Sequence, residues 1–227
     1  MRLPRRGFTF TRVSTYRTNT HGSDIRYNGL PRINPRLPVQ YHHINPILDI
    51  IVRHGYKGKL GLHLLHRHNE LRESFVRLES TVKSTSGKQN VATLIDNLKL
   101  EEVHAVMFQV LPSEQRLVPF EFGKGPPPTH SLSISQAFLQ DCLSYYTNHG
   151  LSDAFALEIL DEKPHEGCTA EVEVSSGDTI VLPQEQVTAE AFLPTGWSGS
   201  PSSEESSPPP GQTWAVNTDG SHKVFQN

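Results

Sequence analysis

The fold prediction depends on the stretch Leu60-Gly-Leu-His-Leu-Leu-His-Arg-His68. Turn-forming glycines precede this apolar segment and Asn69 follows it, which is typical of a buried or half-buried β-strand. Side chains alternate between the two faces of a strand. The alternation therefore predicts that His66 and His68 share a face with the central leucines, and that His63 points to the opposite face.

Two helices are predicted near this strand. The first begins at Asn45-Pro46, because Asn is a good N-cap and Pro is favoured at the first helical position, and it ends at Gly55. The second begins near Ser133, which has a glutamine three residues later as in a capping box, and it ends at Gly150.

The other apolar segments are predicted to be strands. They cover residues 75–78, 103–111, 117–122, 154–160, 169–174 and 179–187. Residues 91–98 fit a strand or a short helix equally well. The pattern predicts an α+β fold in which two main helices pack on a mixed β-sheet.

Composition divides the chain into four parts. Residues 1–24 are predicted to be an Arg-rich extended arm, and residues 25–195 a single α+β domain. Residues 196–211 are rich in Ser, Pro and Glu and are predicted to be a disordered loop. Residues 212–227 are predicted to form a terminal hairpin that docks on the domain.

The two helix-to-strand passages are alike, with a constant offset of 95 residues in the numbering. Both run from a His-Gly pair to an apolar strand, and His63 and Glu158 occupy equivalent positions in the two passages. This similarity indicates a possible internal helix–strand repeat, although a glycine before an apolar strand is common enough to recur by coincidence. If the two strands are neighbours, His63 and Glu158 line a polar pocket between them.

The net charge of −3 conceals an uneven distribution of charge. Residues 1–36 carry eight arginines and one acid, so that 13 basic residues face 23 acidic residues in the remainder. A basic arm on an acidic body is expected to bind RNA, to dock on its own body, or to act as a mitochondrial presequence. The candidate RNA-binding residues are Arg2, Arg5, Arg6, Arg12 and Arg17.

The sequence favours a cytoplasmic protein. No secretory signal pattern is present, and the longest apolar runs are too short to span a bilayer. The two cysteines, Cys142 and Cys168, are predicted to be reduced thiols rather than a disulfide framework.

Acid–base chemistry is the favoured use of the polar residues on the apolar strands. The predicted catalytic residues are His63, His66 and Glu158, because an imidazole can remove a proton and a carboxylate can orient it. The predicted substrate-binding residues are Asp161, His68 and Glu70. Neither a P-loop nor a dinucleotide-binding fingerprint is present, so no cofactor is predicted.

A metal site is the main alternative for the His-rich strand. Imidazole and carboxylate groups bind zinc or iron, and only His66 and His68 form an H-x-H pair on one predicted face. The candidate ligands are His63, His66, His68 and Glu70, with His42, His43 and His54 nearby. The histidines fit equally a purely structural role, in which they donate hydrogen bonds to backbone carbonyls and fill space.

Three segments carry a resemblance to a known group of proteins. They are Gly61-Leu-His-Leu-Leu-His-Arg-His68, Val52-Arg-His-Gly55 and Gly220-Ser-His-Lys-Val-Phe225. In these segments the chain resembles a group of filamentous-fungal proteins, which includes the arginine-containing cyclodipeptide synthases.

The resemblance implies an aminoacyl-tRNA-dependent transferase that forms peptide bonds to give an arginine-containing cyclic dipeptide, with tRNA bound by the basic arm. It implies a carboxylate that holds the guanidinium group, for which Glu158 or Asp161 is available, and a base such as His63 or His66. The aminoacyl ester is already activated, so no ATP site is required. Two other functions stay open, a metal-dependent enzyme and a non-catalytic binding protein.

Overall fold

The computed structural model describes residues 8–9, 23–32, 41–82, 87–128, 133–161, 167–174, 177–199 and 211–217. The helices are α1 (Ser23–Asn28), α2 (Ile44–Arg53) and α3 (Gln136–His149). The strands are β1 (Phe8–Thr9), β2 (Leu60–Leu64), β3 (Phe75–Thr81), β4 (Lys88–Leu94), β5 (Val103–Leu111), β6 (Arg116–Lys124), β7 (Ser133–Ile134), β8 (Phe155–Ile159), β9 (Thr169–Glu173), β10 (Thr179–Pro183), β11 (Ala191–Trp197) and β12 (Gln212–Val216).

Ten of these strands close into a barrel. The order around the barrel is β10-β4-β3-β6-β5-β8-β2-β11-β12-β9, and β9 pairs with β10 to complete the ring. Most neighbours are antiparallel, whereas β3–β6 and β9–β12 are parallel pairs. Closure gives every one of the ten strands two hydrogen-bonded neighbours and leaves no exposed sheet edge.

The predicted α+β class is therefore wrong. The prediction placed two main helices on a mixed sheet, but the architecture is a closed ten-stranded barrel with short helices outside it. The error arose because hydrophobic alternation identifies strands without identifying their neighbours. Closure also depends on β4, in a segment that the sequence left ambiguous, and on β11, which the sequence did not predict.

One end of the barrel is closed by α1 and the turn that follows it. Tyr27 and Leu30 pack against Leu65, Leu71 and Phe120 in a buried apolar cluster. Asn28 ties this plug to the barrel, because its side chain donates to the carbonyl of Leu71 and accepts from the amide of the same residue. α1 begins at Ser23, inside the segment that was predicted to be an extended arm.

The largest core lies outside the barrel wall, where α2 and α3 cover β2 and β8. It contains Ile44, Ile47, Leu48, Ile51, Leu60, Leu62, Phe138, Cys142, Tyr146, Phe155, Leu157 and Trp197, among others. Because the leucines of β2 face this outer layer, the alternate positions of β2 and β8 face the lumen. The two strands that the sequence analysis considered as possible neighbours, β2 and β8, do pair, and they are antiparallel.

The ends of the chain are described only in part. β1 pairs with β7, so the N-terminal segment contacts the body at Phe8–Thr9. Trp214, in the first strand of the predicted terminal hairpin, lies in β12, which pairs with both β11 and β9. The second predicted hairpin strand and most of the Ser/Pro/Glu loop lie outside the described residues, as do all five candidate RNA-binding arginines.

Candidate metal centre in the barrel lumen

Three histidines come together at the deep end of the lumen. β2 ends at Leu64, and the chain then leaves the sheet, where the amide of Arg67 bonds to the carbonyl of Pro31. The rings of His63 and His66 stack with their centroids 5.4 Å apart, and those of His66 and His68 lie 4.8 Å apart. The prediction that His63 points away from His66 and His68 is wrong. It assumed that the strand continues to His68, but β2 ends at Leu64, so the two later histidines do not follow its alternation.

One backbone carbonyl orients two of these rings. Nδ1 of His63 lies 3.0 Å from the oxygen of Leu64, and Nδ1 of His66 lies 2.8 Å from the same oxygen. A carbonyl oxygen only accepts hydrogen bonds, so both Nδ1 atoms carry the hydrogen. Each neutral ring is then left with its lone pair on Nε2, which is the form that binds a metal ion.

Glu171 brings a carboxylate to the same place from β9. Its Oε1 lies 3.2 Å from Nε2 of His68, and its Oε2 lies 3.9 Å from Nε2 of His66. All three side chains are buried, and one ligand atom from each lies within 4.8 Å of the others. The tether of His68 to the barrel plug, through its amide and the hydroxyl of Tyr27 at 3.2 Å, helps to fix its position.

These distances suit a single metal ion. Two ligand atoms bound about 2.1 Å from one ion, at a tetrahedral or octahedral angle, lie about 3.0–3.4 Å apart. The distance between His68 and Glu171 already falls in this range, and the distance between His66 and Glu171 exceeds it by half an ångström. Side-chain rotations that bring the three ligand atoms closer would complete a site with two imidazoles and one carboxylate.

Burial keeps His66 in the neutral form that a metal requires. Removal from water, reinforced by the neighbouring His68 and His63, lowers the pKa of His66 to about 3. Burial also lowers the pKa of His63. Both rings are accordingly uncharged at neutral pH, and no proton has to leave His66 before an ion binds.

The histidines and Glu171 line a cavity of about 710 Å³ inside the barrel. Its lining includes Phe120, which packs against the α1 plug, and the exposed residues Gln89, Asp161 and Ser198. A volume of this size suits a small organic molecule. The geometry thus gives a potential ligand a route from solvent to the three metal-ligating side chains.

Charged groups cluster at the mouth of this cavity. Nζ of Lys88 lies 2.9 Å from Glu79 and 2.7 Å from Asp161, so its ammonium group joins β3 and β4 to the segment after β8. Burial alone would lower the pKa of Lys88, but the two carboxylates outweigh it and raise the pKa above its usual value. Lys88 is therefore charged and committed to these partners.

Glu158 faces the lumen from β8, opposite Gly61 of β2 and Met107 of β5. Burial raises the pKa of Glu158 to about 8, because the stabilising charge of Lys88 does not compensate for lost hydration. A carboxyl group with this pKa carries its proton at neutral pH. Glu158 can then donate a hydrogen bond or a proton to a molecule in the cavity.

A second group of buried charges holds the wall together. Arg77 is fully buried and donates to Asp178 and Thr179, with nitrogen–oxygen distances of 3.3 Å. Glu121, its register partner on β6, accepts from Nδ2 of Asn90 at 2.7 Å, and burial raises the pKa of this carboxyl group. Hydrogen bonds among these groups link neighbouring strands, which fits a structural role, while Nε of Arg77 and Oδ1 of Asn90 are buried without a hydrogen-bond partner among the described residues.

Most of the predicted site residues line the cavity in the lumen, and one does not. His63, His66, His68, Glu158 and Asp161 all line the cavity. Glu70 does not, since its side chain is 74% exposed and pairs with Arg67.

The other candidate ligands of the metal alternative lie on the outer helical layer. Nδ1 of His43 lies 2.9 Å from the hydroxyl of Tyr145, and Nε2 of His54 lies 2.8 Å from Asp141. The ring of His42 contacts that of His43, with centroids 4.0 Å apart and the planes tilted by 43°. The thiol of Cys142 is buried in the outer core, and burial raises its pKa to about 12, so it is a poor nucleophile.

Sequence reasoning missed the carboxylate that completes the site. Glu171 is distant from His68 in the chain, and no short motif links the two. The sequence does hold one indication that Glu171 is unusual, since it lies between the apolar residues Ala170 and Val172 in a predicted strand. A charged residue in the middle of such a strand either faces solvent or has a buried partner. Only the closed barrel shows that Glu171 is buried beside a partner.

Comparisons of the chain with protein-family models, with curated proteins and with solved structures find no match. Among the described residues, no helix is long and apolar enough to cross a bilayer.

Proposed function

We propose that this protein is an enzyme that binds one divalent transition-metal ion in its barrel lumen and acts on a small molecule there. The observation that carries the proposal is the convergence of His66, His68 and Glu171, whose ligand atoms lie within 4.8 Å of one another in a buried site. The sequence favoured no metal, and the proposal departs from that prediction because of Glu171.

The donor set limits the identity of the ion. Two imidazole nitrogens and one carboxylate suit iron(II), manganese(II), cobalt(II) or zinc(II), and they suit the harder calcium and magnesium ions poorly. Three protein ligands leave coordination positions for water or substrate, as catalytic rather than structural sites do. The adjoining cavity gives a substrate access to those positions.

The ion would act as a Lewis acid toward an oxygen or nitrogen atom of the substrate. Glu158 supports the chemistry as a proton donor, since its raised pKa keeps it protonated at neutral pH and it lines the same cavity. The plug around Tyr27 and Leu30 keeps bulk water from the deep end. A small, partly dry chamber strengthens each of these electrostatic interactions.

Aminoacyl transfer from tRNA to form an arginine-containing cyclic dipeptide is the second candidate. One observation favours it, namely that His63, His66 and Glu158 line a single cavity, as the transferase prediction requires. Glu158 and Asp161 line this cavity, and a bound guanidinium group would have to replace the proton of Glu158 or the ammonium group of Lys88 beside Asp161. The arginines proposed to bind tRNA lie outside the described residues, and the family resemblance stays a prediction.

A cytoplasmic location belongs to the same proposal. Both cysteines are free, and Cys168 lines the lumen. A reducing compartment keeps such thiols reduced.

Metal analysis tests the leading proposal. The wild-type protein, loaded anaerobically with iron(II), manganese(II), cobalt(II) or zinc(II) and then desalted, is expected to retain one ion per chain. Glu171→Ala should lose the ion. Glu70→Ala removes an exposed carboxylate near His68 and is the matched control, which should retain it. Retention by Glu171→Ala, or no retention by the wild type, would reject the metal site.

Product analysis separates the two candidates. Purified protein is incubated with arginyl-tRNA and each second aminoacyl-tRNA, all charged beforehand and freed of the synthetases, and the products are read by mass spectrometry. A cyclic dipeptide that forms in the presence of a chelator supports the transferase and argues against a catalytic metal. The absence of any cyclic dipeptide across all partner amino acids removes the transferase.

A further inference from the structure

His63 has a nitrogen atom that the protein itself leaves unsatisfied. Its side chain is buried with 2% exposure, and its Nδ1 donates to the carbonyl of Leu64. Its Nε2 is buried and makes no hydrogen bond to any residue that the structure describes. A buried acceptor without a donor is unfavourable because its lost hydration is not replaced, so a bound molecule that donates to this atom gains affinity.

His63 lies next to the candidate metal ligands. The His63 ring stacks on His66 at an interplanar angle of 25°, and it lines the same cavity. Gly196 lies directly opposite on β11, and a side chain there would approach Cδ2 of His63 to 3.1 Å. Gly196 therefore packs closely against the edge of the ring next to Nε2, and a larger residue at this position would displace the ring.

His63 is not one of the three clustered ligands. The group whose ligand atoms lie within 4.8 Å of one another contains His66, His68 and Glu171 alone among the described residues. His63 therefore stands next to the metal ligands with its lone pair available to something other than the ion. The tautomer set by Leu64 makes Nε2 an acceptor, so its partner must be a donor.

We infer that His63 is a positioning residue whose Nε2 accepts a hydrogen bond from an N–H or O–H group of the molecule bound at the metal. The inference rests on the proposed metal site and adds the substrate class. That class is a small molecule in which a hydrogen-bond donor lies next to the atom that binds the ion, as in hydroxamates, α-hydroxy acids and α-amino acids.

Two hydroxamates that differ by one donor test this inference. Acetohydroxamate keeps an N–H group when it chelates a metal ion, whereas N-methylacetohydroxamate has none. Their affinities for the cobalt(II)-loaded protein are measured from the visible spectrum of cobalt. His63→Leu is expected to weaken acetohydroxamate binding about three- to tenfold, which is the worth of one hydrogen bond, and to leave N-methylacetohydroxamate binding within twofold.

Further variants make the result specific. His63→Gln supplies an amide oxygen as an acceptor and should restore part of the difference between the two hydroxamates. His104→Ala removes a half-buried imidazole bonded to the carbonyl of Gly125, outside the cavity lining, and should change neither affinity. If His63→Leu does not fold, as judged by circular dichroism, His63→Ala replaces it in the same comparison.

The negative results of this experiment can be told apart. Equal weakening of both hydroxamates, or no weakening of either, overturns the role of His63 while the metal site stands. Loss of cobalt from the His63 variants also overturns it, because His63 would then be a ligand of the ion. If the wild-type protein binds no cobalt, the proposed function fails and the inference fails with it.

Discussion

At the scale of residues, a single backbone carbonyl orients two histidine rings. The oxygen of Leu64 accepts from both His63 and His66, and it thereby sets the tautomer of both rings. Burial then keeps the rings neutral, as the lowered pKa of each indicates. No side-chain motif in the sequence encodes this arrangement, because the acceptor is a main-chain atom whose direction depends on where β2 ends.

Glu158 gives a prediction about pH. Its folded-state pKa of about 8 lies above the usual 4.5, so the folded protein keeps a proton that the unfolded chain releases. The contribution of Glu158 to stability is therefore lost as pH rises from about 4.5 to 8. Glu158→Gln should become more stable relative to wild type over this range, by on the order of 2–4 kcal/mol.

Urea unfolding at several pH values from 5 to 8.5 measures this difference. Glu70→Gln removes an exposed carboxylate and serves as the control, for which no comparable pH trend is expected. A stability difference between Glu158→Gln and wild type that stays constant with pH contradicts the assigned protonation of Glu158.

The close approach of β11 to β2 shapes the lumen at the scale of elements. A Cβ atom at Gly196 would lie 3.1 Å from His63 and 3.0 Å from Cβ of Gln212, which cannot move without its backbone. Gly196→Ala should therefore destabilise the protein by about 1–3 kcal/mol through overpacking. The cost should be smaller in a His63→Ala background, which removes one of the two contacts.

A double-mutant cycle in urea measures this coupling. The single variants at Gly196 and His63 and the double variant are compared with wild type. Additive effects at the two sites would show that Gly196 does not constrain the His63 ring.

The start of α3 provides a second test at this scale. Oγ of Ser135 accepts from the amide of Phe138 at 3.2 Å, so Ser135 is the N-cap. Ser135→Ala should destabilise the protein by about 1 kcal/mol. Ser144→Ala, an exposed position on the same helix, is the control and should have little effect, and equal losses at both positions would contradict the cap.

Local signals in the sequence predicted several of these elements. Gly55 and Gly150 do follow α2 and α3 with positive φ angles of 79° and 65°, as helix-ending glycines often do. The predicted N-caps are wrong in detail, since α2 begins at Ile44 and α3 is capped by Ser135 rather than Ser133. The β5–β6 and β9–β10 hairpins were recognisable because each is closed by a short turn between alternating segments.

Closure of the barrel could not be predicted from such signals at the scale of the whole molecule. The ring contains two parallel pairs, β3–β6 and β9–β12, whose partners are separated by other strands in the chain. The register that places Glu171 beside His68 results from this global arrangement. The His-rich stretch could therefore be singled out, whereas its carboxylate partner could not.

The proposed ion joins parts of the chain that are far apart, and this predicts a change in global stability. His66 and His68 follow β2, whereas Glu171 lies on β9, so the site exists only in the folded barrel. Binding only to the folded state stabilises it, by about 2.7 kcal/mol at a free metal concentration of 100 times Kd. Urea unfolding with and without cobalt(II) should detect this gain in wild type and in Glu70→Ala, but not in Glu171→Ala. An equal gain in Glu171→Ala would mean that the ion binds elsewhere.

The most direct test of the metal centre is an anomalous-scattering measurement on crystals soaked in cobalt(II), with data collected on both sides of the cobalt absorption edge. One strong peak is expected about 2.0–2.2 Å from Nε2 of His66, Nε2 of His68 and a carboxylate oxygen of Glu171. A lumen without a peak, or a peak only at the surface histidines around His43, would contradict it.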